Sequence, residues 1–505
     1  MSGKPVLIVG AGPTGLVLAL WLAKRGVAVD IIDAKPAPGE GSRALAVHAR
    51  TLEFYIQLGI ADEIIEAGEI IEELHLHHAA RRTSIATFRF GEIGTGLGPF
   101  PFVLSLAQDE HERILGRVLA DMGVSVRRST RLETYEVRAD EIIVTLSTAE
   151  GTRKASYRWI CGCDGAHSQV RGQMGTALEG GTYAQRFYVA DVQPVSRPPD
   201  GFHIALGSEQ FTLMLPIGSG STRLIGLMPN DDPDATDFEV VRARAEAATG
   251  ISVERLNWFS TYKVHHRVAD RFRKGDAFLL GDAGHLHSPA GGQGMNTGIG
   301  DAVNLAWKIA AVEQDGAPHA LLDTYESERR PFARELVGTT DAAFTNIVRA
   351  DLIGNLTRRV LVPTTLRLVS KFAAARRRLF ETISQIRISY RDSPLSRTGA
   401  NETLVGQRLP WAGADGMDNF ASLQSLDWQI HSYGQSNSFR AEKTEMDVPI
   451  HFYDWVPAMG QRGIARDTHV LVRPDSYIAA SGHPAPDLAA MRYPAEWKGA
   501  EQQSA

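Results

Sequence analysis

The chain has 505 residues, of which 43% are hydrophobic and 22% charged. This is typical of a globular protein too long for a single core, so we expect two or three domains. The 53 basic and 59 acidic residues give a net charge of −6, which argues against a nucleic-acid-binding protein. Two cysteines, Cys161 and Cys163, are too few for a disulfide framework or a zinc site. No apolar run reaches the ~20 residues of a membrane span, so we expect no membrane span, no targeting segment and a cytoplasmic location.

The N-terminal stretch "KPVLIVGAGPTGLVLALWLAKRGVAVDIIDAKP" predicts a strand, a tight turn, a helix and a second strand. In such a unit Gly10 makes the turn, Gly12 lets the backbone approach a pyrophosphate, and Gly15 lets the helix pack closely. An acidic residue after the second strand can hold a ribose hydroxyl. The sequence therefore predicts a dinucleotide-binding unit whose helix N-terminus faces the phosphates. Its predicted contact residues are Gly10, Gly12, Pro13, Thr14, Gly15 and Asp33.

A second glycine-rich segment, "FLLGDAGHLHSPAGGQGMNTGIGDAVNLAWKIA", begins at Phe278 and has five glycines at positions 291–300. It predicts a buried strand, a loop and a long helix. Asp282 would follow the strand and point into the ligand crevice. The helix N-terminus near Met295 and Asn296 would offer unpaired N–H groups and about half a positive charge. Two such sites predict one long ligand with a diphosphate and a ring that becomes anionic. FAD fits this description.

Three motifs in the same order resemble those of one family. They are "GAGPTGL", "CDGAHSQVR" at 163–171 and "GDAGHLHSPAGGQGMNTGIGDAVNLAWK", with Gly284 where alanine is usual. Over nearly its whole length the chain resembles the class A flavoprotein monooxygenases, also called the para-hydroxybenzoate hydroxylase family. The resemblance extends to "SRALAVHARTLE" and "QDEHERIL". It implies FAD contacts, beyond the N-terminal unit, at Arg43, Gln108, Asp164, Gly165, Asp282, Gly292, Gly294, Met295 and Asn296.

The resemblance also implies a reaction. NAD(P)H would reduce the FAD, O₂ would add at flavin C4a, and the resulting hydroperoxide would hydroxylate an electron-rich aromatic ring. Pro289 and His285 are candidates for the face of the flavin, although shaping the loop is at least as good an explanation for His285 and His287. No protein nucleophile is needed, and the sequence does not identify a base. The expected partners are an aromatic small molecule, O₂ and NAD(P)H, with a homodimer also possible.

The fold class expected is α/β, with a Rossmann-like FAD-binding domain and an inserted β-sheet substrate domain. "ISQIRISYRDSPLS", "GQRLP" and "VLVRPDSYIAA" resemble the branch that hydroxylates phenols and aromatic polyketides, which ends in a thioredoxin-like domain. That last domain contains no cysteine here, which excludes thiol–disulfide chemistry in it. The expected boundaries are 1–73, 103–181 and 274–393 for the FAD domain with its trailing helices, 74–102 and 182–273 for the substrate domain, and 394–505 for the thioredoxin-like domain.

Two alternative functions remain open. A flavin-dependent halogenase shares the first motif, but its WxWxIP pattern would need two tryptophans two positions apart, and no pair here is so spaced. A protein that holds FAD without turnover is the other alternative, and the third motif argues against it. A metal site at "HLHH", 75–78, lacks acidic or cysteine partners at ligand spacing, so we expect no metal. The strands around 211–216 are expected to line the substrate pocket.

Overall fold

The computed structural model describes most of the chain, with short gaps. The described residues are 3–39, 45–79, 81–207, 211–218, 220–229, 237–288, 292–348, 357, 361–397, 403–413, 417–434, 448–482, 485–494 and 497.

The described residues form twenty-three strands and thirteen α-helices, which we number in chain order. The strands are β1 (Val6–Val9), β2 (Val29–Ile32), β3 (Ala46–Val47), β4 (Glu69–Ile71), β5 (Glu73–His78), β6 (Ser84–Arg89), β7 (Val103–Ser105), β8 (Arg131–Val137), β9 (Ile142–Thr148), β10 (Gly151–Tyr157), β11 (Trp159–Gly162), β12 (Leu178–Pro194), β13 (Phe202–Leu206), β14 (Phe211–Pro216), β15 (Thr222–Leu227), β16 (Val253–Ala269), β17 (Arg273–Lys274), β18 (Ala277–Leu279), β19 (His285–Leu286), β20 (Gln429–Tyr433), β21 (Ile450–Tyr453), β22 (Thr468–Val472) and β23 (Ile478–Ser481). The helices are α1 (Pro13–Lys24), α2 (Ala49–Leu58), α3 (Ala61–Ala67), α4 (Phe90–Gly94), α5 (Gln108–Asp121), α6 (Gln169–Met174), α7 (Glu239–Thr249), α8 (Gln293–Gln314), α9 (Asp323–Val348), α10 (Val362–Lys371), α11 (Ala373–Ile383), α12 (Pro457–Gly460) and α13 (Ala485–Ala490).

The first sheet has the order β17-β18-β11-β1-β2, and β1 runs parallel to both of its neighbours. Every residue of β1 is buried, as is typical of an inner strand of a parallel sheet that is covered on both faces. Helix α1 is buried all round from Leu16 to Leu22, since it lies between this sheet and α8. The expected strand–turn–helix–strand unit is therefore present, and the α/β fold class with a Rossmann-like sheet is confirmed.

The second large sheet has eight strands in the order β19-β16-β12-β15-β14-β13-β5-β6. Strands β12 and β16 each have 17 residues and pair antiparallel along most of their length. Strand β12 begins at Leu178, four residues before the boundary expected from the sequence pattern. The division into domains stays a proposal, with this sheet as the substrate domain.

Two three-stranded sheets complete the N-terminal part, in the orders β10-β9-β8 and β3-β7-β4. The second of them sets the chain around Ala46 beside the N-terminus of α8, because Asn296 donates a hydrogen bond to the Ala46 carbonyl over 2.8 Å. This position matters for the site described below.

The C-terminal segment contains a four-stranded sheet with the order β21-β20-β22-β23, in which β20 is parallel to β21 and antiparallel to β22. The thioredoxin-like assignment of this segment stays a prediction. A buried ion cluster ties it to the FAD side, since Arg473 contacts Glu328 over 2.7 Å and Glu328 contacts Lys308 over 2.8 Å. Burial alone would raise the pKa of Glu328, but these two cations hold it well below its usual range.

Candidate functional site

The turn after β1 contains two glycines that the protein's own packing demands. Gly10 has φ +104°, and a Cβ there would overlap the carbonyl oxygen of Cys163. A Cβ at Gly15 would overlap the carbonyl oxygen of Gly10. Only glycine fits either position, because a backbone atom cannot move aside as a flexible side chain can.

Gly12 differs from these two glycines because no described atom crowds it. The nearest atom to a Cβ there would be Glu112 Oε1 at 3.9 Å. Gly12 is also the N-cap of α1, without a side-chain cap, and Pro13 follows at the first helical position. The N–H groups of Thr14 and Gly15 are therefore the first that the helix can offer to a ligand. This open, uncapped helix end fits a diphosphate held against bare backbone.

The carboxylate of Asp33 stabilises this turn. Its Oδ2 accepts a hydrogen bond from Ala11 N at 2.8 Å, and its Oδ1 accepts one from Lys35 N at 2.8 Å. Arg128 lies 3.6 Å from the same carboxylate. Asp33 thus shapes the turn after β1, and its contact with a ribose hydroxyl stays a prediction.

Gln108, at the start of α5, donates a hydrogen bond to Glu112 over 2.7 Å. Glu112 is the side chain nearest to the open face of Gly12. Burial raises the pKa of Glu112, although the Gln108 hydrogen bond and the positive charges of Lys35 and Arg128 act in the opposite direction.

Thr14 joins the two glycine-rich segments that lie almost 270 residues apart in sequence. Gly281, directly after β18, has φ +57°, and a Cβ there would lie 2.8 Å from Thr14 Oγ1. A Cβ at Gly298 would overlap the same oxygen. The N-terminal ends of α1 and α8 therefore meet at one place, as a single ligand spanning both would require.

The N-terminus of α8 is built to stay open. Gly292 caps it in the left-handed conformation, φ +63°, and no side-chain cap is found among the described residues. Asn296 fixes its position: its amide nitrogen donates to the carbonyls of Ala46 and Gly292, and its oxygen accepts from His48 N and Thr51 Oγ1, all within 2.9 Å. Because the side chain of Asn296 is fully engaged, any contact with an anion comes from the backbone N–H groups of this turn.

His285 lies in a buried ion network. Its Nε2 is 2.7 Å from Asp301, which also accepts a hydrogen bond from Arg329 Nε at 2.6 Å and one from Gly281 N at 3.0 Å. Burial alone would raise the pKa of Asp301, but Arg329 and His285 lower it. This geometry favours the loop-shaping role for His285 over a place at the face of the flavin.

His287 faces the α8 N-terminus. Its Nδ1 lies 2.8 Å from the carbonyl oxygen of Ser288, so Nδ1 donates and Nε2 is left as an acceptor. That Nε2 has no hydrogen-bond partner among the described residues and is 3.5 Å from the Cβ position of Gly294. Burial lowers the pKa of His287 to about 4, which keeps the ring neutral near neutral pH.

The Asp-Gly motif lies at the end of β11. Asp164 Oδ2 accepts hydrogen bonds from Gln169 N at 2.7 Å and Val170 N at 3.2 Å, and thereby caps α6. Asp164 Oδ1 is buried without a hydrogen-bond partner among the described residues. Gly165 has φ +76° and nothing within 4 Å of its Cβ position. An open backbone beside an unsatisfied carboxylate oxygen fits a ligand with hydroxyl or N–H donors.

The remaining predicted residues divide into two groups. Asp282 is exposed between the buried Gly281 and Ala283, as a carboxylate lining a crevice would be, and Met295 packs on the main core. Arg43 and Pro289 lie outside the described residues, so their roles stay predictions.

One face of the eight-stranded sheet forms an apolar wall. Val189, Leu213, Leu215 and Ile225 cluster there with Leu45, which precedes β3. The opposite face is covered by α7, because successive residues of a strand point to opposite sides. The apolar wall therefore adjoins the segment that Asn296 ties to the α8 N-terminus. Partly buried aromatic side chains of this wall are Phe202, Phe211, Trp258 and Tyr262.

Comparison with known proteins identifies the family. Residues 4–340 match the family described as FAD binding domain. The chain belongs to the FAD-binding flavoprotein monooxygenases. Its cofactor is FAD, and the resemblance seen in the sequence is confirmed.

Individual relatives extend this match. The chain is 34% identical to 6-methylpretetramide 4-monooxygenase of Streptomyces rimosus, over 78% of this chain and 71% of that one. An aromatic hydroxylase from angucycline biosynthesis superposes with a TM-score of 0.78 at 26% identity, covering 97% of this chain and 99% of that one. Dialkyldecalin synthase of Streptomyces rugosporus is 33% identical over 70% of this chain and 74% of that one. The halogenase alternative is not favoured by these relatives.

None of the described helices is long and apolar enough to cross a membrane. No group of three or more histidine, cysteine, aspartate or glutamate side chains in the described part of the chain could hold a metal ion.

Several residues that build the site were not predicted from the sequence. Glu112 could have been found, because it follows Gln108 by one helical turn and side chains at that spacing meet. The roles of His48 and Thr51, which hold Asn296, and of Arg329, which holds Asp301, left no pattern in the sequence. Their partners lie far away along the chain, and only the fold brings them together.

Proposed function

We propose that the chain is an FAD-dependent, NAD(P)H-consuming monooxygenase that hydroxylates a phenolic or polyketide-like aromatic substrate. The observation that carries the proposal is the apolar sheet face at Leu213 and Leu215, which adjoins the open N-terminus of α8. The names of the similar aromatic hydroxylase and 6-methylpretetramide monooxygenase support the substrate class.

The residues of this chain fit FAD. Their proposed role is to bind the cofactor, and none of them forms a covalent bond to the substrate. Thr14 and Gly15 N–H groups hold the diphosphate, Asp282 the ribityl chain, and the first turn of α8 an anionic ring. Bound FAD supplies the electron transfer from NAD(P)H and the activation of O₂. The protein orients the substrate on the sheet face and excludes water there.

In this proposal the reductant, NAD(P)H, has no dedicated dinucleotide-binding domain. The one GxGxxG motif is committed to FAD, so the nicotinamide nucleotide binds transiently, with Arg43 as a contact that the family resemblance implies. The need for reduced nicotinamide and the two free cysteines support a cytoplasmic location. A homodimer is part of the proposal as well.

The test is a screen of phenols with purified, yellow holoenzyme. We expect some phenols to accelerate NADH or NADPH oxidation several-fold and to yield a product heavier by one oxygen atom. Colour without any stimulated oxidation would contradict the proposal. It would favour a flavin-holding protein without redox turnover, an alternative to which the similarity with dialkyldecalin synthase draws attention.

A further inference from the structure

A cleft of about 490 Å³ lies between the trailing helices and the C-terminal segment. None of its lining residues belongs to the flavin site described above. Its walls come from the loop after α4, from α11, from the segment that follows α11, and from the C-terminal segment. The lining residues are Gly96, Leu97, Arg377, Glu381, Ile386, Arg387, Ile388, Ser389, Arg391, Gln407, Arg408, Pro410, Trp411 and Arg462.

Positive charge dominates this cleft. Five arginines line it, and Glu381 is the single acidic residue in the described lining. That carboxylate is shared, since Arg377 Nε lies 3.3 Å from one of its oxygens and Arg387 Nε lies 3.9 Å from the other. Arg408 is compensated outside the cleft by the buried Glu53 at 2.7 Å, which leaves four guanidinium groups against the one carboxylate of Glu381, so the cleft carries a positive potential.

The arginines of the C-terminal wall are held in place by the chain itself. Arg462 donates a hydrogen bond to the Trp411 carbonyl. Arg408 donates to the Leu97 carbonyl at 2.7 Å and pairs with the buried Glu53 at 2.7 Å. Such fixed guanidinium groups lose little freedom when they bind an anion.

Like charges face each other across the opening. Burial lowers the pKa of Arg462, and the positive charge of Arg377 on the opposite wall lowers it further. An anion between the two side chains would remove this repulsion. The indole of Trp411 adds an apolar surface at one end of the cleft, with the Arg462 guanidinium 5.7 Å from its ring.

We propose that this cleft binds an organic phosphate of nucleotide size that carries two or more negative charges. Guanidinium forks match phosphate oxygens in pairs, and pockets of roughly 300–1,000 Å³ suit ligands of this size. The ligand is either a free nucleotide or the adenosine phosphate half of a dinucleotide.

The experiment is calorimetric titration of FAD-loaded protein with ADP, with adenosine and inorganic phosphate as comparison ligands. We expect ADP to bind, adenosine not to bind, and affinity to fall as ionic strength rises. Arg387→Gln and Arg462→Gln should each weaken ADP binding roughly tenfold or more, because each removes a charged fork. Arg378→Gln is the matched control: it is exposed on the same helix as Arg377, lies outside the cleft and changes the net charge equally.

Glu381→Gln should change the affinity for ADP in the opposite direction. Removing the carboxylate should tighten ADP binding severalfold, which a merely structural role of these side chains would not produce. No ADP binding, or equal binding by the cleft variants and Arg378→Gln, would overturn the proposal.

A competition experiment separates the two sources of the phosphate. If the cleft holds part of NAD(P)H, ADP competes with NAD(P)H in flavin reduction, and Arg387→Gln raises the KM for NAD(P)H. If it holds a free nucleotide, neither effect appears. The binding assay needs no turnover, so it stands independently of the proposed hydroxylation.

Discussion

The two glycine-rich segments both contain crowded glycines, but they differ in what crowds them. Gly10 and Gly15 are crowded by backbone of their own chain, whereas Gly12 between them faces open space. In the second segment Gly281 and Gly298 are crowded by Thr14, while Gly292 is needed for its left-handed conformation at the start of α8. Crowded glycines hold the two helix ends together, and open ones leave room for a ligand. The first kind should therefore matter for folding and the second for cofactor binding.

The largest effect is expected for Gly15→Ala. The new methyl group would overlap the Gly10 carbonyl, and neither backbone can move without separating α1 from the first sheet. We expect little soluble protein, measured by expression and circular dichroism. Gly116→Ala is the matched control, because nothing lies within 4 Å of its Cβ position on α5. A Gly15→Ala variant as stable as this control would show that the crowding is not real.

Gly12→Val should separate folding from cofactor binding. Since described atoms leave its Cβ position open, the variant should fold and keep its thermal unfolding cooperative. Its FAD affinity should fall about 100-fold or more, because the side chain keeps the diphosphate from the α1 N–H groups. Flavin occupancy after gel filtration, read from the absorbance spectrum, checks this. Retention of full occupancy would refute the diphosphate position.

Asp282→Ala should weaken FAD binding about tenfold, the usual effect of losing one charged hydrogen-bond acceptor. Asp282→Asn keeps an acceptor oxygen and should lose less. Equal occupancy in the wild type and the alanine variant would place the ribityl chain elsewhere.

How far the sequence predicted these segments depends on where each interaction partner lies. The turn at Gly10–Gly12–Gly15, the strand before Asp282 and the helix after Gly292 follow local patterns of apolar and glycine residues, and all were expected. The network of Asn296 with His48 and Thr51 was not expected, because hydrogen bonds between segments some 245 residues apart leave no period in the sequence. For the same reason the arginine cleft became visible only in the fold.

The last prediction concerns acid stability at His287. Its pKa is about 4 in the folded protein and close to 6.5 when unfolded. The unfolded chain therefore binds more protons as pH falls from about 6.5 to 4, and stability declines across that window, by at most on the order of 3 kcal/mol. His287→Leu should show a smaller decline in urea unfolding measured at pH 7 and pH 4.5. An identical decline in both proteins would assign the effect to other groups.

A crystal structure of the FAD-bound protein tests the central claim most directly, namely that both glycine-rich segments hold one cofactor. We expect the diphosphate within hydrogen-bond distance of the Thr14 and Gly15 N–H groups. We also expect the ring system to lie at the first turn of α8, within reach of the Met295 or Asn296 N–H group. A flavin ring bound away from α8, with the diphosphate still at α1, would contradict the account.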